Sequence, residues 1–163
     1  MNSLSAADWA LYFKTTPQDE SDNTLIKIKY LPGAHAIKQE EYGDWIDLYT
    51  YEDVHLQRFD RQYINLGIAM KLPQGYEAIM APRSSTYKNW GILQTNGIGV
   101  IDSTYCGDND IWMFPALAMR ETIIPANTRI CQFRIQLIQP RINFVSVSSL
   151  GTEDRGGLGS SGL

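Results

Sequence analysis

The run Gly97-Ile98-Gly99-Val100-Ile101-Asp102-Ser103-Thr104-Tyr105-Cys106-Gly107-Asp108-Asn109-Asp110 ends an apolar stretch in a carboxylate, passes through small polar turn formers and presents a tyrosine before a glycine. An acid and an aromatic face held at a sheet rim suit a reacting water beside a flat ligand. The competing reading of Asp102 is a plain turn residue whose side chain bonds the backbone two residues on. A second group, Ala81-Pro82-Arg83-Ser84-Ser85, sets a cation and two hydroxyls at the start of a short helical stretch. Such a start can receive a phosphate; alternatively Ser84 caps the helix and Arg83 pairs with a surface acid. It lacks the glycines that flank a hydrolase nucleophile elbow, which disfavours a serine nucleophile. The third group, Arg155-Gly156-Gly157-Leu158-Gly159-Ser160-Ser161-Gly162, is either a disordered tail or a lid that folds over a phosphate chain.

The elements that must position these groups are extended. From Thr24 onward Ile26, Ile28 and Tyr30 alternate with Leu25, Lys27 and Lys29, as a strand covered on one side requires. Segments 45–51, 54–59, 63–71, 76–81, 98–101, 111–119, 129–139 and 142–148 are rich in β-branched and aromatic residues, with Pro32-Gly33, Pro73-Gln74-Gly75 and Gly107-Asp108-Asn109 as punctuation. Such spacing, with almost no helical period, predicts an all-β fold, a sandwich or barrel-like jelly roll. One short internal helix is expected over 86–90, capped by Ser84 or Ser85 and stopped by Gly91. Residues 1–23 read as an N-terminal extension with a short amphipathic helix carrying Trp9 and Phe13, 24–150 as the β core and 151–163 as the flexible lid.

Composition narrows the classes. A chain of 163 residues is long enough for one domain with a substantial core. Its net charge of -4 argues against a general nucleic-acid binder, so an anionic ligand must be held by a few local cations. No apolar run approaches the roughly 18 residues of a membrane span, and a soluble, cytoplasmic protein is expected. Cys106 and Cys131 make no metal spacing with each other or with His35 and His55, so reduced thiols without chemistry are expected.

In this order the groups resemble the five motifs of the homotrimeric dUTPase family. Asp44-Trp45-Ile46-Asp47-Leu48 resembles the first motif, Pro82-Arg83-Ser84-Ser85 the second, Gly99-Val100-Ile101-Asp102 with Tyr105 and Gly107 the third, Arg129-Ile130-Cys131-Gln132 the fourth and Arg155 to Gly162 the fifth. The resemblance implies a distorted β-barrel of the dUTPase kind, assembled as a trimer with shared active sites. It also implies hydrolysis of dUTP to dUMP and pyrophosphate by in-line attack of water at the α-phosphorus, which limits uracil in DNA and supplies dUMP for thymidylate synthesis. Asp102 would be the general base and Tyr105 would pack under the deoxyribose. Asn96 matches a base-contacting position on the hairpin that reads uracil. Arg83, Ser84, Ser85 and Gln132 would contact the phosphates, and Arg129, Arg155, Gly157, Ser160 and Ser161 would close on the phosphate end. Asp47 would hold, through water, a Mg2+ ion bound mainly by the phosphates.

The fifth motif departs from the family pattern. It is about two residues short, and Leu158 stands where a phenylalanine usually stacks on the base. Trp112, Met113 or Phe114 would then supply the cover. Two other readings compete: a dCTP deaminase-like enzyme, whose chemistry needs a glutamate on a strand where residues 111–120 carry no carboxylate, and a regulatory protein that keeps a dUTP site as a sensor.

Overall fold

The computed structural model describes residues 25–38, 43–154 and 156, so the expected N-terminal extension and the tail residues Arg155, Gly157, Leu158, Ser160 and Ser161 lie outside the described residues. Eleven strands and one helix are described: β1 Lys27–Tyr30, β2 Ile46–Tyr49, β3 Val54–Leu56, β4 Arg61–Asn65, β5 Ile68–Lys71, β6 Tyr76–Pro82, α1 Thr86–Trp90, β7 Ile92–Gln94, β8 Gly99–Ile101, β9 Met113–Ala118, β10 Thr122–Ile124 and β11 Arg129–Leu137. They form a four-stranded sheet in the order β2-β11-β6-β8, a three-stranded sheet β4-β9-β7, and the pairs β1-β5 and β3-β10. All the pairings are antiparallel. This is the all-β, jelly-roll architecture that the spacing predicts.

Alternation decides which side chains reach the core. On β9, Phe114, Ala116 and Ala118 point inward and Met113, Pro115 and Leu117 outward. Phe114 sits opposite Ile64 of β4, and both are fully buried. The core gathers these with Leu48, Met80, Trp112, Ile130 and Phe133.

Three features of the extended reading change. Segment 63–71 is two strands, because Asn65 Oδ1 accepts the Gly67 N–H (2.8 Å) and turns the chain between them. Segments 92–94 and 122–124 add two strands of three residues each. Segment 142–148 forms no strand: it finds no partner among the described residues, and Phe144 is 92% exposed. Without a neighbour its backbone groups cannot be paired in a sheet.

The helix lies where expected and ends at Gly91, which takes the left-handed conformation. Its start differs. Ser85 occupies the cap position with helical backbone angles and makes no side-chain capping bond, while Ser84 is exposed. The buried hydroxyl of Thr86 ties the turn down instead: it accepts the Arg83 N–H (2.9 Å) and donates to the Ile130 carbonyl (2.6 Å). At the far end Arg120 Nη2 donates to the carbonyls of Lys88 (2.9 Å) and Asn89 (2.8 Å).

Candidate active site

The structure gathers most of the expected site residues that it describes into two clusters. The first surrounds a cavity of about 390 Å³ at the end of β8, lined by Asp102, Tyr105 and Asn96, with Val100, Ile101 and Met80 beside them and Trp112, Met113, Pro115 and Tyr63 along another wall. Gly99 makes this packing feasible, since a Cβ there would meet Met80 Cε at 2.9 Å. Asp102 follows the strand directly. Its Oδ1 accepts the Thr104 N–H (2.7 Å) and the Thr104 hydroxyl, while its carbonyl accepts the Tyr105 N–H (3.2 Å).

One carboxylate therefore serves both readings made from sequence. Oδ1 holds the turn, and no donor among the described residues pairs with Oδ2. Asp102 is exposed, and the Thr104 hydroxyl, with further help from the Thr104 and Tyr105 N–H groups, holds its pKa below the usual carboxylate value against a small opposing effect of burial. It is an anion at neutral pH, able to accept a proton. The turn also orients the tyrosine, whose hydroxyl donates to the Ile111 carbonyl (3.1 Å).

The second cluster lies on the outer face of the four-stranded sheet. Asp47 of β2 is directly opposite Gln132 of β11, which is opposite Ala81 of β6. Arg83 Nε meets Asp47 Oδ1 at 2.8 Å and Arg129 Nη1 meets Asp47 Oδ2 at 3.2 Å. A bulge between Arg129 and Cys131 matters here, because it places Arg129 opposite Tyr49 and Gln132 opposite Asp47. Arg129 and Gln132, three residues apart, thereby share the Asp47 face while Ile130 and Cys131 are both buried. Burial, reinforced by the Asp47 charge, pushes the Cys131 thiol well above its ordinary pKa. Two guanidinium groups around one carboxylate leave the cluster with an excess positive charge, suited to an anion.

Among the described residues no three metal-binding side chains cluster. A cation that keeps its waters needs less, one or two carboxylates plus the ligand's phosphates. Asp47 fits that demand: its two oxygens have room for about four hydrogen bonds and the arginines use two.

The two clusters do not meet within one chain. Ile101 is opposite Ala78 and Gly99 opposite Met80, so Asp102 emerges beyond Ile101 toward one end of β6 while Arg83 follows the other end. Six residues of strand separate the levels of Asp102 and Arg83, roughly 20 Å at about 3.3 Å per residue.

The proposed base covers need correction. Trp112 is 1% exposed and stands edge-on to Phe133 (5.2 Å between centroids), so it forms cavity wall and cannot swing as a lid. Phe114 is fully buried on the core face of β9. Met113, exposed on the outer face, is the one of the three that borders the cavity from an accessible position. Sequence reasoning missed Tyr63, 75% exposed and lining the same cavity, and missed Thr86, Gln94 and Thr104, whose bonds hold the site residues. Thr104 had a signal, the two-residue offset from Asp102 that a side-chain turn requires.

The jelly roll holds a strand-end carboxylate and tyrosine beside one cavity and two arginines farther along the same four-stranded sheet, and the dUTPase family matches residues 35–162. The chain belongs to the dUTPase family. It is 54% identical over 138 residues to the SPbeta prophage-derived deoxyuridine 5'-triphosphate nucleotidohydrolase of Bacillus subtilis (strain 168), covering 84% of this chain and 97% of that one. Its fold matches the Staphylococcus bacteriophage 80alpha dUTPase solved with dUpNHpp, at TM-score 0.69 and 18% identity, over 86% of this chain and 100% of that chain. It also matches a mutant dUTPase of phage phi11 of S. aureus that coordinates a structural Mg(II) ion, at TM-score 0.65 and 14% identity, over 78% and 99% of the two chains.

Proposed function

We propose that this chain hydrolyses dUTP to dUMP and pyrophosphate, at sites that each combine clusters from different copies of a homotrimer. The observation that carries the reading is the pairing of an ionised, half-engaged Asp102 with Tyr105 and Asn96 around one cavity. The base and sugar occupy that cavity, with Asn96 meeting the uracil edge and Tyr105 under the deoxyribose, where crowding disfavours a 2′-hydroxyl. Asp102 Oδ2 takes a proton from water, the water oxygen attacks the α-phosphorus in line, and the bond to the bridging oxygen breaks to release pyrophosphate. Arg83, Ser84, Ser85 and Gln132 hold the phosphates as charge moves outward, and Arg129 with Arg155, Gly157, Ser160 and Ser161 closes on their end. Mg2+, when bound with the phosphates and held through water by Asp47, supplies further charge neutralisation.

The trimer is supported by the roughly 20 Å between Asp102 and Arg83 along β6 and by the apolar residues Phe144, Val145 and Leu150 on an exposed segment that another copy would cover. No described helix is long and apolar enough to cross a membrane. The absence of a carboxylate on β9 disfavours a deaminase. A nucleotide panel with pyrophosphate and ammonia detection tests the reading. dUTP should turn over far faster than UTP, dTTP or dCTP, with no ammonia from dCTP. Equal rates with UTP would overturn the sugar-packing role, and ammonia release would revive the deaminase.

A further inference from the structure

We infer that Gln94 is a positioning residue that sets which face of the Asn96 carboxamide meets the base, and through it the choice of uracil over cytosine; the inference rests on the dUTP reading of the cavity. Gln94 ends β7 directly opposite the buried Ala116 of β9, so an amide stands on the inward face of a strand whose equivalent positions are apolar. Its Nε2 donates to the Met80 carbonyl (3.4 Å) and to Asn96 Oδ1 (2.9 Å), and its Oε1 is buried without a partner among the described residues. A buried acceptor left unpaired is unfavourable, and an apolar residue there would avoid it.

The chain of bonds has one polarity. A backbone carbonyl only accepts, so the NH2 end of Gln94 must face Met80. Its remaining hydrogen goes to Asn96, which must therefore offer its oxygen. The Asn96 NH2 is then left for the cavity that Asn96 lines. The NH2 there donates to the 4-oxo group of uracil and opposes the 4-amino group of cytosine, which is itself a donor. Without Gln94 the Asn96 amide can turn over and serve either base.

The test compares binding of the α,β-imido analogues of dUTP and dCTP to the full chain by calorimetry, together with kcat on dUTP. In Gln94→Met the preference for the dUTP analogue should fall about tenfold, the loss of one directed hydrogen bond, with kcat within about twofold of the parent. The melting temperature should not fall, because the unpaired acceptor is gone. Asn96→Ala, a change at an exposed hairpin, should lose the preference to a similar extent, and Gln94→Met added to it should change the preference no further. An unchanged preference in Gln94→Met, or additive losses in the double variant, would overturn the positioning role while leaving dUTP hydrolysis standing. Should Gln94→Met fail to fold, Gln94→Leu is read against the same outcomes. A parent protein with no preference for the uracil analogue would overturn the dUTP reading itself.

Discussion

Replacing Thr86 with valine should damage stability and phosphate binding together, because one buried hydroxyl joins the loop that carries Arg83 to the strand that carries Arg129 and Gln132. Thr86 is 1% exposed, and its Oγ1 both accepts from Arg83 N–H and donates to the Ile130 carbonyl. Valine fills the same space and leaves both main-chain groups without this partner. Each such loss is worth about 1–3 kcal/mol, and burying one extra methyl returns about 0.8 kcal/mol, so losing both gives a net destabilisation of about 1–5 kcal/mol. For a chain of this size, at about 2–4 °C per kcal/mol, that lowers the melting temperature by roughly 2–20 °C. Arg83, no longer held by its own N–H, should lose its fixed approach to the phosphates, so KM for dUTP should rise about tenfold with a smaller change in kcat. Differential scanning calorimetry and a pyrophosphate-release assay read the two effects, and Thr86→Ser, which keeps the hydroxyl, should recover most of both. A Thr86→Val protein that melts within a degree of the parent and keeps its kcat/KM would refute the reasoning.

Asp102→Asn should retain binding of the imido analogue and lower kcat by roughly two to four powers of ten; near-normal turnover would remove Asp102 as the base. Because hydrogen bonds from Thr104 hold the Asp102 pKa down, the base form persists to lower pH than an ordinary carboxylate allows. The associated stabilisation is present above the unfolded-state pKa and lost as pH falls through the depressed folded value. Thr104→Val should therefore move the acid limb of kcat/KM to higher pH, and a limb that stays in place would show that the hydroxyl does not tune the base. Cys131, buried and with a raised pKa, should resist iodoacetamide at pH 8 in the native protein, whereas the partly exposed Cys106 should react first. Mass spectrometry of the labelled protein settles the order.

The sequence made local structure legible and long-range geometry less so. Asn96, Asp102 and Tyr105 lie within ten residues of one another, so strand, turn and glycine chemistry sufficed to put them at one rim. The Asp47, Arg83, Arg129 and Gln132 cluster was legible as residue types, but its geometry depends on a bulge whose only trace is the adjacent buried pair Ile130 and Cys131. Trp112 and Phe114 were misplaced although they share the parity of Ala116 and Ala118 on β9; following the two-residue period through would have put both inside and Met113 outside. Strands β7 and β10, three residues each, are too short to show a period. Thr86 and Gln94 were invisible for another reason: each joins a site residue near it in the chain to a main-chain carbonyl far from it, Ile130 for Thr86 and Met80 for Gln94, and no spacing rule encodes the distant half.

The division of the site between copies is the central claim, and subunit mixing tests it most directly. Asp102→Asn lacks the base and Arg83→Ala lacks a phosphate-holding cation, so each assembly alone should be nearly inactive. Equal amounts, unfolded together and refolded, give a site whose Asp102 is intact half the time and whose Arg83, from another copy, is intact half the time. About a quarter of the parent's dUTP-hydrolysing activity should return. If both residues served one site within a single chain, every chain would carry one defect, and a mixture that stays as inactive as its components would contradict the account.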